Sequence, residues 1–116
     1  MKYVILIMNT PLGATLSPDE ASAWSGEIFA WYEKYAANGK LADSGHQLDD
    51  VSTAKTLRGA TVTDGPFIEA KEVIGGYSVL EADTIDEAVE LAKTWPGVDR
   101  GLVTLEVRPV VEQPTM

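Results

Sequence analysis

Residues 63–77 read TDGPFIEAKEVIGGY, and this stretch is the most informative part of the chain. It joins the carboxylate of Asp64 to a rigid Gly65-Pro66 bend, a charged patch around Lys71 and a glycine pair, Gly75-Gly76, inside an apolar segment. Proline fixes φ, and glycine adopts backbone conformations that are closed to other residues. The combination predicts a loop of defined shape that holds a polar group and leads into a strand.

The segments next to this stretch predict strands of a sheet. Residues 73–82 are apolar enough for a strand, and the glycine pair predicts a bulge or a close approach by another backbone. Residues 55–57 and 61–63 predict a short hairpin around Arg58-Gly59. Before this hairpin we expect an extended segment over residues 41–48.

The two ends of the chain predict two further strands. Residues 2–9 alternate between two apolar sets, with Tyr3, Ile5 and Ile7 on one face and Val4, Leu6 and Met8 on the other. A strand that is apolar on both faces is typical of the centre of a sheet that is covered on both sides. Residues 102–111 predict the last strand, and Pro109 favours an edge position because proline cannot donate a ladder hydrogen bond.

Two helices are marked by their first and last residues. Ser17-Pro18-Asp19-Glu20 combines a capping serine, a proline suited to the first helical position and a glutamate that completes a capping box. Thr84-Ile85-Asp86-Glu87 predicts a second capping box. Asn38-Gly39 and Pro96-Gly97 predict where the two helices end.

The apolar side chains of both helices recur at helical spacing. In the first helix they are mostly aromatic, namely Trp24, Ile28, Trp31, Tyr32 and Tyr35. Such a stripe is typical of a core, and the alternative is the wall of a ligand pocket. In the second helix we expect burial of Ile85, Ala88, Val89, Ala92 and Trp95.

The order strand, helix, strands, helix, strand predicts the α+β class, with a ferredoxin-like (βαββαβ) antiparallel sheet and both helices on one face. Because no linker, repeat or low-complexity tract interrupts the 116 residues, we expect one domain over residues 1–116. Helices on one face leave the other apolar set of residues 2–9 exposed to water. Each of these side chains then forgoes about 1.5–3 kcal/mol of stabilisation from burial. The pattern therefore predicts a homodimer whose two sheets pack face to face.

Composition narrows the possible partners. The formal net charge is −9 and the Lys and Arg residues are scattered, whereas nucleic-acid binding needs clustered basic residues. The longest apolar run, residues 3–8, is far shorter than the roughly 20 residues of a spanning helix. We expect no nucleic-acid or membrane partner and a cytoplasmic location.

Metal and cofactor chemistry has little support in the sequence. Cysteine is absent, which removes disulfides and thiolate ligands, and only one histidine is present. No glycine-rich phosphate-binding motif occurs. Asp49-Asp50 offers two carboxylates for a loosely held divalent ion, but a solvated turn is the more ordinary interpretation. We expect neither a metal nor a cofactor.

Three residues carry the candidate chemistry. His46 is the one histidine, and imidazole exchanges a proton near neutral pH, so it is either the proton carrier or an inert surface residue. Asp64 can orient His46 by accepting a ring N–H, or it can stabilise its own bend by accepting backbone N–H groups. Arg108 shares a strand face with Glu106; on the face opposite the helices it can hold an anionic or carbonyl group, and the alternative is a salt bridge between the two.

The segment Asp64-Gly65-Pro66-Phe67-x-Glu69-x-Lys71-Glu72 resembles the signature of the DGPF/YCII-related family of small bacterial proteins. The resemblance implies a dimeric α+β barrel with a cleft between the subunits. It also implies a catalytic histidine–aspartate pair, and His46 and Asp64 match that pair in type, order and neighbouring glycine. Through the signature, Phe67 and Lys71 join Arg108 as candidate substrate-binding residues.

Three functions are compatible with these features. The first is a cofactor-free acid–base enzyme in which His46 and Asp64 carry out elimination or isomerisation of a small molecule in the inter-subunit cleft; a YCII-related protein is associated with dehydrochlorination. The second is a non-catalytic small-molecule-binding or regulatory module, because DGPF-type proteins are often encoded with an alternative sigma factor. The third is a cofactor-free monooxygenase, since such enzymes share the dimeric α+β barrel.

Overall fold

A computed structural model describes residues 1–65 and 73–112 of the chain. The strands in these ranges are β1 Lys2–Asn9, β2 Leu41–Gln47, β3 Lys55–Arg58, β4 Thr61–Asp64, β5 Val73–Glu81 and β6 Val103–Pro109. The α-helices are α1 Pro18–Ala37 and α2 Ile85–Lys93, and two short 3-10 turns span Pro11–Thr15 and Val51–Thr53.

Strand β1 lies inside a four-stranded sheet with the order β2-β5-β1-β6, in which every neighbouring pair is antiparallel. Apart from the β3–β4 hairpin, which forms a separate two-stranded sheet, the elements follow the order βαββαβ. The predicted α+β class and ferredoxin-like arrangement are therefore confirmed, as is the edge position of the strand that contains Pro109.

Helix α1 begins as its sequence predicts. The Ser17 hydroxyl accepts from the Glu20 N–H at 3.1 Å, and the Glu20 carboxylate accepts from the Ser17 N–H at 3.0 Å. Hydrogen bonds to the carboxylate from the Ser17 backbone N–H first, and then from the Ser17 side chain, hold the pKa of Glu20 below its usual value. The helix ends at Ala37, and the following Gly39 has φ of +78°, a conformation that favours glycine.

Helix α2 begins with a modified version of the predicted capping box. The Thr84 hydroxyl accepts from the Glu87 N–H at 3.1 Å, but the Glu87 carboxylate accepts from the N–H of Asp83 at 3.3 Å and from the Lys40 ammonium at 3.2 Å. The predicted burial of Ile85 is wrong, because this first residue of the helix lies at the rim of the core and is 40% exposed. Neither described helix is long and apolar enough to cross a membrane.

The glycine pair in β5 forms the predicted bulge. Ile7 pairs with Gly76 while Met8 pairs with Ile74, so Gly75 is the extra residue between them. A Cβ atom at Gly76 would lie 3.0 Å from the His46 carbonyl oxygen, and one at Gly75 would lie 2.3 Å from the Asn9 amide nitrogen. The backbone of β2 therefore lies close to Gly76, whereas the space beside Gly75 is occupied by the Asn9 side chain.

The two faces of the sheet are covered by other parts of the chain to different extents. Ile5 and Ile7 of β1 pack in one buried cluster with Trp31 of α1 and Ala92 of α2, which confirms that both helices lie on one face. The side chains on the opposite face of β1 are only half-buried within the protomer, and they are Val4, Leu6 and Met8. We call this second surface the open face.

Candidate functional site

A cavity of about 510 Å³ lies between α1 and the helix-covered face of the sheet. Its aromatic lining includes Trp24, Phe29 and Tyr32 from α1, together with Trp95 after α2. The aromatic stripe of α1 therefore serves both predicted purposes, because Trp31 is buried in the core while its neighbours line a cavity. A concave site with apolar walls and a few polar groups is the usual form of a small-molecule site.

His46 borders this cavity at the edge strand β2, and its ring lies on the side of the sheet where Tyr77 pairs with Leu6 of the open face. Gly45 has φ of +71°, and a Cβ atom at that position would lie 1.8 Å from the Tyr77 carbonyl oxygen, so only glycine fits. The Asp43 carboxylate accepts from the Gly45 N–H at 2.8 Å and supports the bend. His46 then pairs with Tyr77 of β5, and the centroids of the two rings are 6.0 Å apart.

A chain of hydrogen bonds runs from the cavity wall into the sheet. The Trp95 indole N–H donates to the Tyr32 hydroxyl at 3.2 Å, and the Tyr32 and Ser78 hydroxyls are 2.6 Å apart. The Ser78 hydroxyl donates to the Ser44 carbonyl oxygen at 2.7 Å. Ser78 is fully buried, and sequence reasoning missed it; the available signal was a single serine among the apolar residues of a predicted strand.

Asp64 lies at the end of β4 in the separate hairpin, where its side chain is 83% exposed. Its carboxylate forms an ion pair with Lys55. Within residues 1–65 and 73–112, no hydrogen bond or ion pair joins Asp64 to His46, and their joint action stays a prediction. The bend after Asp64 is supported by backbone contacts, because the Gly65 N–H donates to the Ala54 carbonyl oxygen at 2.7 Å.

Arg108 lies on the open face, since it is the β6 partner of Val4. Its guanidinium forms a salt bridge with the Glu106 carboxylate at 2.5 Å, which is the alternative that the sequence left open. The Arg108 side chain is 66% exposed, and a role in binding an anion or a carbonyl group stays a prediction.

The other two predicted substrate-binding residues, Phe67 and Lys71, lie outside the described residues. The same holds for Pro66, Glu69 and Glu72 of the signature. Gly65 is the last described residue before them, and it has φ of +90°.

The carboxylates after β2 have a structural function. The Asp50 carboxylate accepts from the Ser52 N–H at 2.9 Å and caps the 3-10 turn Val51–Thr53. The hydrogen bonds from the Ser52 side chain and backbone hold the pKa of Asp50 below its usual value. In the part of the chain that the structure describes, no three His, Asp or Glu side chains converge as metal ligands would.

An antiparallel sheet with two helices on one face, and an aromatic-lined cavity beneath the first helix, defines a small ferredoxin-like protein with a candidate small-molecule site. The chain belongs to the YCII-related domain family, whose model matches residues 1–113. It is 30% identical over 115 residues to uncharacterized protein R00369 of Rhizobium meliloti (strain 1021), with 95% of this chain and 92% of that protein covered.

A similar fold occurs in a solved structure of another protein. It is 5-chloro-2-hydroxyhydroquinone dehydrochlorinase (TftG) from Burkholderia phenoliruptrix AC1100 in complex with 2,5-dihydroxybenzoquinone. The TM-score is 0.56 with 19% sequence identity, and the match covers 97% of this chain and 96% of that chain. At this identity the likeness concerns the fold.

Proposed function

We propose that the protein is a cofactor-free acid–base enzyme that acts on a small aromatic or hydroxylated molecule held by the cavity beneath α1 and by His46 at its edge. One observation carries the proposal: the one histidine of the chain borders the cavity that Trp24, Tyr32 and Trp95 line, and the centroid of its ring is 6.0 Å from that of Tyr77. The aromatic walls suit a planar ligand, and the imidazole supplies a group that exchanges a proton near neutral pH.

Elimination is the reaction that these parts support best. Loss of HCl from a substrate breaks a C–Cl bond and an O–H or C–H bond, and it forms one new double bond. Chloride leaves with the C–Cl electron pair, a base takes the proton, and no oxidant is needed. His46 is the group that would take the proton, as a general base. The similar fold of a dehydrochlorinase supports this choice of reaction by analogy.

A contribution from Asp64 is a further part of the proposal. Lys55 binds one oxygen of its carboxylate in the described structure, and the second oxygen can accept a ring N–H of His46. Exposed ion pairs contribute about 0–1 kcal/mol, so this ion pair is a small barrier to a movement of Asp64 toward His46.

We also propose that two copies of the chain pack through their open faces to form a dimeric α+β barrel. Val4, Leu6 and Met8 are half-buried in the protomer, and Ile74 on the neighbouring strand is 49% exposed. Covering such side chains contributes about 25 cal/mol for each Å² of apolar surface. Arg108 would then lie at the interface, where the proposed inter-subunit cleft would form.

The test of catalysis is chloride release from 5-chloro-2-hydroxyhydroquinone, the compound named for the similar structure. Replacing His46 with Ala should lower the rate by about 10²- to 10⁴-fold, because a general base contributes that much. Asp64→Asn should lower the rate by less, since it leaves the proton carrier in place. Glu90→Ala on the exposed side of α2 serves as the control and should retain the wild-type rate.

Two outcomes would contradict catalysis by His46. Equal rates in wild type and His46→Ala would remove the histidine from the mechanism. Binding of the compound without any chloride release would favour the second function, a binding or regulatory module.

A further inference from the structure

The hydrogen bonds at the cavity wall have a fixed direction. A carbonyl oxygen only accepts, so the Ser78 hydroxyl must use its one hydrogen on the Ser44 carbonyl, 2.7 Å away. Ser78 has no second hydrogen, and the 2.6 Å contact between hydroxyls therefore requires Tyr32 to donate to Ser78. The Trp95 indole can only donate, and it donates to the Tyr32 oxygen at 3.2 Å.

The direction of this chain decides what Tyr32 can offer to a ligand. Its hydrogen points away from the cavity toward Ser78, which is fully buried, and one of its lone pairs is taken by Trp95. What remains is a single lone pair on a residue that lines the cavity. Tyr32 can therefore accept a hydrogen bond from a ligand but has no hydrogen left to give.

We infer that Tyr32 is a specificity-determining residue that selects ligands with a hydroxyl donor, and that the cavity takes small phenols in preference to the matching ethers. The inference rests on the proposed function, because it assumes that the cavity is the small-molecule site. An ether or carbonyl oxygen placed against Tyr32 meets another lone pair and loses its bonds to water without replacement. Sites that bond a ligand hydroxyl reject analogues that lack it.

The size of the preference follows from one neutral hydrogen bond. Such a bond contributes about 0.5–1.5 kcal/mol net, which corresponds to a preference of roughly two- to twelvefold in dissociation constant. The probes are para-methylphenol and its methyl ether, para-methylanisole, in which a methyl group replaces the hydroxyl hydrogen. Their dissociation constants can be measured by NMR titration, following the indole N–H signals of Trp24 and Trp95, which both line the cavity.

Two variants distinguish an effect of hydrogen-bond direction on binding from an effect of structural damage. Tyr32→Phe keeps the ring but removes the acceptor, so the phenol should bind more weakly, by the same factor as the wild-type preference, while the ether is unchanged. Ser78→Ala removes the acceptor that holds the Tyr32 hydrogen, so the ether should gain affinity as Tyr32 becomes able to donate. Thermal melting shows whether each variant is folded, and a merely structural defect would weaken both probes equally.

The outcomes distinguish this inference from the proposed catalysis. Equal binding of both probes to the wild-type protein overturns the assignment of Tyr32 and leaves the cavity as a ligand site. Equal weakening of both probes in the two variants also overturns it. If neither probe binds, both the inference and the assignment of the cavity as a ligand site are overturned. If His46→Ala retains its turnover, only the proposed proton transfer by His46 is contradicted.

Discussion

The two faces of β1 present the same kind of side chain and meet different surroundings. Tyr3, Ile5 and Ile7 are at most 7% exposed beneath the helices, whereas the side chains between them are half-buried on the open face. The smallest extent of the protein is 20 Å. One layer of helices packed on one sheet, at about 10 Å for each layer, accounts for this thickness. The alternation in β1 thus forms two apolar faces, of which the helices of this chain cover one.

The largest expected effect tests this difference directly. Replacing Ile5, which is fully buried, with Ala should lower the free energy of unfolding by about 2–5 kcal/mol, because it leaves a cavity in a packed core. The matched change Leu6→Ala on the open face should lower the free energy of unfolding by less, when the protein is dilute enough that two chains do not associate. Urea denaturation at low protein concentration measures both. Equal losses would show that the two faces are equivalent within one chain.

The second-largest expected effect concerns the proposed association of two chains through their open faces. We expect wild type to sediment as a dimer of the 12.5 kDa chain at micromolar concentration, and Leu6→Asp to raise the dimer dissociation constant by at least about 100-fold. The reason is that burying a carboxylate between two largely apolar sheets costs its hydration, and the neighbouring Glu106 carboxylate repels it. Ile85→Asp is the control, since this exposed residue begins α2, where an acidic side chain is favourable. A wild-type monomer at this concentration would contradict the packing of two sheets.

Local signals were sufficient to predict the fold. The caps at Ser17 and Thr84 involve bonds within a few residues, and the glycine pair before Tyr77 marks a bulge whatever strand lies opposite. The apolar periodicities of β1 and α1 likewise follow from local geometry. The burial of Ile85 was mispredicted because periodicity gives the face of a helix but not where the core ends along it.

The candidate site was less predictable because its contacts span long separations in sequence. Tyr32 and Ser78 are 46 residues apart, and Tyr32 and Trp95 are 63 apart, so no motif connects them. Residue type suggested His46 as a proton carrier, but its place beside Tyr77 at the edge of the cavity depends on how β2 bends at Gly45. Asp64 was paired with His46 through a family resemblance, whereas the carboxylate lies in a hairpin where Lys55 is its ion-pair partner.

The smallest expected effect concerns the interactions of the Glu87 carboxylate at the start of α2. The Lys40 ammonium first, and then the Asp83 N–H, hold the pKa of Glu87 below its usual value of 4.5. The charged form is therefore favoured in the folded state, and its stabilisation is present above the unfolded-state pKa and is lost as the pH falls through the lower folded-state pKa. Glu87→Gln should be less stable than wild type at neutral pH, and the difference should shrink as the pH falls below about 4.5.

Thermal melting between neutral and acidic pH measures this difference. Lys40→Gln removes the cation but leaves the Asp83 N–H, so it should remove only part of the pH-dependent stabilisation. A difference between wild type and Glu87→Gln that stays constant with pH would show that the carboxylate contributes through packing alone. The anchoring of α2 beneath the sheet would then rest on Ala88 and Ala92, which are buried against it.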